Sequence, residues 1–112
     1  MNMMTLNEYN ESALATAIYG EGQKITYPTL GLAGEAGEFA NLVKKLVAHG
    51  HEISKEEFID ELGDVLWYWV QGCTALGYTP QEVMEENIKK LEARYPNGFE
   101  VSKSEHRKEG DI

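Results

Sequence analysis

The chain predicts an all-α fold, a bundle of four helices. Three observations carry that prediction. Apolar residues recur at three- and four-residue steps from Leu6 to about Tyr95. Two helix starts carry capping signatures. Two pairs of carboxylates, Glu35 with Glu38 and Glu61 with Asp64, are spaced three apart, the spacing that places both members on one helix face. No segment shows the period of a strand, and no repeat of 20 to 50 residues is present.

The elements follow in order. The first helix is predicted over 6–19, with Leu6, Tyr9, Ala13, Leu14, Ala17 and Ile18 on its apolar side. Gly20 and Gly22 break it, and 23–27 is a connector. Pro28 suits the first turn of the second helix, which runs to about His49, with Gly50 as its stop. Ser54 and Glu57 form an S-x-x-E capping box that starts the third helix, and Gly77 ends it. Thr79 as N-cap, Pro80 at the first helical position and Glu82 three after the cap start the fourth. That helix ends near Tyr95, before Pro96, Asn97 and Gly98. The segment 100–112 is charged and poor in apolar residues, and is expected to be mobile or held by a partner subunit.

The third helix is apolar round much of its circumference. Leu62, Val65, Leu66, Trp69, Val70 and Cys73 form one stripe, with Trp67 off it and Tyr68 further round. A helix of that kind is covered on more than one side, and a second subunit is the simplest cover for so small a chain. The expected assembly is a homodimer or a dimer of dimers.

The 112 residues suffice for one domain, expected over 1–99, and not for two. The formal charge of −9 argues against binding a nucleic-acid polymer through its backbone. It does not exclude a nucleotide, because a bound cation reverses the local sign. Cys73 is the single cysteine, so no intrachain disulfide forms, and its apolar surroundings make it a core thiol. The N-terminus lacks the features of a signal peptide, and the longest apolar run, 65–70, is too short for a bilayer. These features suit a reducing cytoplasm.

Charged residues three apart usually mark a solvated face. Here Leu42 and Leu46 follow Glu38 at four-residue steps, so the first pair shares a face with core leucines. Gly31, Gly34 and Gly37 lie inside the same helix and Gly63 inside the second acidic pair, each costing about 1 kcal/mol relative to Ala. Close approach of a backbone or a bulky ligand would compensate. Four converging carboxylates repel unless a cation lies among them, and an oxygen-only set suits Mg²⁺, with Mn²⁺ as its substitute. Such a site points to phosphate chemistry. Glu57 is assigned to capping; Glu56 and Asp60 are expected on the surface, with Asp60 a candidate for supporting the ligands. His49, His51 and His106 fall in loop or tail positions, and no Glu has a His three residues later, which argues against a di-iron bundle.

The run GLAGEAGEFANLVKK, then DELGDVLWYW, then NIKKLEARYPNGF resembles the MazG-like branch of the all-α nucleoside triphosphate pyrophosphohydrolases. The likeness covers about 30–99. Gly34 stands where many members have a second acid before Glu35, a variant that matches the GEAGE subgroup. The resemblance implies that Glu35, Glu38, Glu61 and Asp64 hold Mg²⁺, with Glu38 the choice for general base. It further implies that Asn87, Lys90, Arg94 and Tyr95, the N-x-x-K-L-x-x-R-Y segment, close over the phosphates. Lys44 and Lys45 are further cationic candidates, of which Lys45 is chosen as substrate-binding; a solvated basic helix end explains both equally well. Tyr19, Tyr27, Trp67 and Tyr68 are candidates for stacking on a base. The implied reaction releases pyrophosphate and a nucleoside monophosphate, as a nucleotide-pool housecleaning activity. Two alternatives stand beside it: hydrolysis of phosphoribosyl-ATP, and a non-catalytic helical module whose acids bind metal or a basic partner.

Overall fold

The computed structural model describes residues 3–98. Among them are four α-helices, α1 (Leu6–Leu14), α2 (Thr26–Ala48), α3 (Lys55–Ala75) and α4 (Pro80–Arg94), with a 3₁₀ turn at Glu21–Gln23 and no strands. The all-α expectation therefore holds. The chain forms two compact units, Met1–Pro80 and Gln81–Ile112.

In the first unit α3 is the central element: α2 packs against it and α1 makes a smaller contact with it. Thr5 caps α1, its hydroxyl accepting from the Glu8 N–H at 3.1 Å while the Glu8 carboxylate accepts from the Thr5 N–H at 2.9 Å. This capping box was not anticipated from the sequence. The helix is also five residues shorter than predicted. Beyond Leu14 the Thr16 hydroxyl donates to the Ala13 carbonyl at 2.8 Å, competing for a helical acceptor. Ile18 is 90% exposed, so the apolar period runs on with nothing to pack against.

The predicted punctuation of α2 and α3 is present. Pro28 lies in the first turn of α2 and is buried, and Gly50 takes a φ of +67° just after the helix end. The Ser54–Glu57 capping box is formed in both directions. At its other end α3 closes in a Schellman motif: Tyr78 N–H donates to the Cys73 carbonyl, Gly77 N–H to the Thr74 carbonyl, and Gly77 sits at φ +83°.

Val70 and Gln71 are completely shielded from water, and Ala13 and Cys73 are nearly so. Burial pushes the Cys73 thiol above its usual range, which suits an inert core thiol. Phe39 of α2 meets Phe58 of α3 edge-to-face, with ring centroids 5.5 Å apart. The Asn10 side-chain amide donates to the Thr74 hydroxyl at 3.1 Å, tying α1 to the end of α3.

Trp67, which the sequence set off the main stripe of α3, is partly covered within its own chain. It is half-buried, and its indole N–H donates to the Thr16 hydroxyl at 2.9 Å. Apolar surface is exposed elsewhere on α2 and α3, at Leu30, Val47, Ile59 and Leu62.

The second unit carries α4 from its second residue on; the helix begins at Pro80 and ends at Arg94, as its punctuation predicted. Gly98 follows at φ +87°. Phe99 and the charged segment 100–112, including His106, lie outside the described residues.

Candidate functional site

Glu35 is carried by the middle of α2, and Glu61 and Asp64 by the first half of α3. One carboxylate oxygen from each of the three lies within 4.8 Å of the other two. Glu35 and Glu61 are half-buried and Asp64 is exposed. The second acidic pair therefore enters the cluster whole, because residues three apart on α3 face α2 together.

Glu38 stands apart from this trio. It is exposed, one turn further along α2. Its charge still reaches Glu35, whose carboxyl is raised above the ordinary value of 4.5. The largest cause of that rise is a hydrogen bond to Glu61, which two carboxyls can make only when they share a proton. Burial and the negative charges of Asp64, Glu61 and Glu38 add to it.

The Oε2 atom of Glu61 is buried and has no hydrogen-bond partner. An orphaned carboxylate oxygen beside two more carboxylates is unfavourable unless a proton or a cation lies between them. Three converging carboxylates are oxygen-only donors, the set preferred by hard divalent ions, so these residues fit a cation of the Mg²⁺ class.

Beside the acids is a cavity of about 370 Å³ lined by Thr16, Glu35, Asp64, Trp67 and Tyr68. The Tyr68 ring crosses α2 at Gly31, where a Cβ would overlap the ring itself. Gly31 thus answers the expected need for close approach. Gly34, Gly37 and Gly63 do not: no neighbouring element among the described residues comes within 4 Å of a Cβ placed there.

An aromatic relay continues from this wall. Trp67 and Tyr68 meet edge-to-face at 5.0 Å, Tyr68 and Tyr27 tilt together at 5.9 Å, and Tyr27 stacks on Tyr19 at 4.9 Å. Tyr68 is harder to ionise than a free tyrosine. A hydrogen bond with Tyr27 is the chief cause, followed by burial and then the charges of Tyr27, Glu35 and Asp64. Tyr9 is raised as well, first by burial and then by the charge of Asp64.

Tyr9, Thr16 and Gln71 were not singled out in the sequence. Tyr9 appeared only as an apolar-face residue of α1. Thr16 had no readable signal, because its place depends on where α1 ends. Gln71 had one: a lone amide inside the apolar stretch of α3, three and seven residues beyond Tyr68 and Asp64.

The basic candidates stand as follows. On α2 Lys44 is exposed and Lys45 half-buried. On α4 Asn87 and Lys90 are exposed and Arg94 is half-buried, the three following one another at three- and four-residue steps. The Arg94 guanidinium carbon lies 5.9 Å from the centroid of the Tyr95 ring. Glu56, Asp60, His49 and His51 are exposed, as expected. No helix among the described residues is long and apolar enough to cross a membrane.

Residues 23–99 match the family described as the MazG nucleotide pyrophosphohydrolase domain. The chain is also similar to the "Gene 37 protein" of Mycobacterium phage L5, with 38% identity over 105 residues, covering 85% of this chain and 92% of the phage protein. No solved structure matches.

Proposed function

The chain belongs to the MazG nucleotide pyrophosphohydrolase family, and from that premise we propose a Mg²⁺-dependent hydrolase that splits nucleoside or deoxynucleoside triphosphates into a monophosphate and pyrophosphate. Nucleotide-pool housecleaning in the cytoplasm is the role that suits this reaction. The observation that supports it best is the convergence of Glu35, Glu61 and Asp64, with Glu61 Oε2 buried and partnerless.

In this reading Glu35, Glu61 and Asp64 hold the cation, and Glu38 stands on the same helix as a fourth ligand or as general base. The cation would offset the charge of the triphosphate and make its phosphorus easier to attack. Glu38, exposed to solvent one turn beyond Glu35 on α2, is placed to take a proton from water. Lys45, Asn87, Lys90, Arg94 and Tyr95 are assigned to the phosphates, where charge-assisted hydrogen bonds are worth about 1.5–3 kcal/mol each. The open space at Gly34, Gly37 and Gly63, and the exposed Leu30, Val47, Ile59 and Leu62, favour a homodimer as the working unit.

The test is a panel of nucleoside triphosphates, with phosphoribosyl-ATP included, assayed for pyrophosphate with Mg²⁺ and with chelator. Metal-dependent release from at least one of them is expected. No release from any would leave a metal-binding helical module.

A further inference from the structure

Two buried side-chain atoms among the described residues lack a hydrogen-bond partner: Glu61 Oε2 and Gln71 Nε2. Both belong to α3, and they lie on one face of it. Glu61, Asp64, Tyr68 and Gln71 follow one another at steps of three, four and three, which keeps them within a single stripe. The helical rise sets Gln71 about 10 Å beyond Asp64 along the axis. The stripe therefore runs from the acids, past the aromatic wall, to a buried amide.

A cation explains the first orphan and cannot explain the second. Nε2 is a donor, and it asks for an acceptor. The other half of the amide is already engaged: the Tyr19 hydroxyl donates to Gln71 Oε1 at 3.1 Å. With Oε1 engaged in this way, the amide's N–H groups are left unmatched. A buried donor without a partner costs about 1–3 kcal/mol, so an aliphatic residue would serve the empty protein better.

We propose that Gln71 reads the base of the nucleotide, its Nε2 donating to a carbonyl oxygen, so that keto bases (uracil, thymine, hypoxanthine, guanine) are favoured over their amino counterparts. The inference rests on the nucleotide reading above and adds the substrate class. With the phosphates at the acids, a base directed along α3 passes Tyr68 and arrives at Gln71. The connector between α1 and α2 overlies this route. Its Thr16 lines the cavity at the acids, and its Tyr19 holds the amide. The amide is shut off from water, so the base enters as this connector shifts. Connector mobility is consistent with Gly20 and Gly22, around which no other atom would crowd a Cβ, and with the exposed Ile18. An amino base would turn a second donor toward Nε2 and leave both unpaired.

The experiment titrates UMP, CMP, IMP and AMP into the Mg²⁺-loaded protein by calorimetry, then measures pyrophosphate release from the matching triphosphates. The wild type should bind UMP over CMP, and IMP over AMP, by tenfold or more, the equivalent of 1.4 kcal/mol. Gln71→Leu should fold at least as stably and bring both ratios near one. Gln71→Glu, which offers acceptors, should shift them toward the amino bases. Tyr19→Phe frees the amide to turn and should narrow them. Affinity for Mg²⁺ alone should be unchanged in all three variants. Equal binding of keto and amino partners by the wild type, or ratios that survive Gln71→Leu, would overturn the proposal. Monophosphate binding needs no turnover, so the two readings can fail separately. Keto preference without pyrophosphate release removes only the hydrolase; release without preference removes only the role of Gln71. A protein that binds no nucleotide removes both.

Discussion

The two ends of α3 are held in place by opposite means. At the C-terminal end Val70, Gln71 and Cys73 are buried, and the Schellman turn at Gly77 closes the helix. At the N-terminal end Glu61 and Asp64 crowd Glu35, one carboxylate oxygen has no partner, and Glu35 is driven to hold its proton. Packing and capping stabilise one end; like charges destabilise the other. A continuous helix joins them, so the packed end and the Ser54 capping box hold the carboxylates where they would not stay by themselves. Repulsion kept at a fixed place is what a cation-binding site needs before its cation arrives.

The largest expected effect separates the two ends. Asp64→Ala should reduce Mg²⁺-dependent pyrophosphate release by more than 100-fold, since even residues that merely support metal ligands are worth 10–100-fold. Its stability without metal should hold or rise, because one of three repelling charges is gone. Val70→Ala should do the reverse, costing about 2 kcal/mol of stability for a fully buried side chain while leaving Mg²⁺ affinity intact. Chemical denaturation and metal titration of both variants decide the matter. An Asp64→Ala protein that unfolds more readily would mean that the acidic end is structural.

A smaller effect concerns the glycines of α2. Gly31→Ala gains helix propensity but drives a methyl group into the Tyr68 ring. Overpacking of this kind costs about 1–3 kcal/mol against a propensity gain of about 1 kcal/mol. A net loss of about 1 kcal/mol is expected, and it should disappear in a Tyr68→Leu background. Gly34→Ala and Gly37→Ala meet no neighbour among the described residues and should stabilise the chain by about 0.5–1 kcal/mol. If either instead weakens the protein and sedimentation shows a dimer falling apart, the open face of α2 is where a second copy packs.

Much of this is legible in the sequence. Helix starts and stops at Ser54, Pro80, Gly50 and Gly77 are local chemistry, and local chemistry is written in the sequence. The pairing of Glu61 with Asp64 is legible for the same reason, since i and i+3 share a face on any helix. The meeting of Glu35 with α3 was inferred rather than read, for it depends on how α2 rolls against its neighbour. The exposure of Glu38 in the folded chain depends on that same roll. The early end of α1 was invisible because the apolar period continues to Ile18; only tertiary structure reveals that nothing receives it. Gln71 was legible only as a lone amide in an apolar stretch, because its unmatched N–H is a property of the packed state alone.

The smallest effect is a dependence on pH, and it isolates the repulsion at the acidic end. Glu35 has a folded-state pKa above its ordinary 4.5, so the folded protein binds that proton more tightly than the unfolded chain does. The stability it contributes is complete below pH 4.5 and is lost as pH rises through the elevated folded value. Without metal the protein should therefore become less stable over that window. Glu8 works in the other direction: the Thr5 N–H and hydroxyl hold its carboxyl below the ordinary value, so its contribution is present above pH 4.5 and lost on acidification through the lowered value. The two windows adjoin at about pH 4.5, one on either side, and the raw profile of the wild type cannot cleanly separate them where they meet. The difference between wild type and Glu35→Gln can, because Glu8 is common to both. In chelator, thermal melts from pH 4 to pH 8 should show Glu35→Gln gaining on the wild type as pH rises, then levelling off once Glu35 is ionised. Saturating Mg²⁺ should reverse the order at pH 8, because the cation stabilises only the chain that keeps all three carboxylates. A difference that stays flat across the range would mean that Glu35 does not feel Glu61 and Asp64, and the acidic cluster would lose its electrostatic basis.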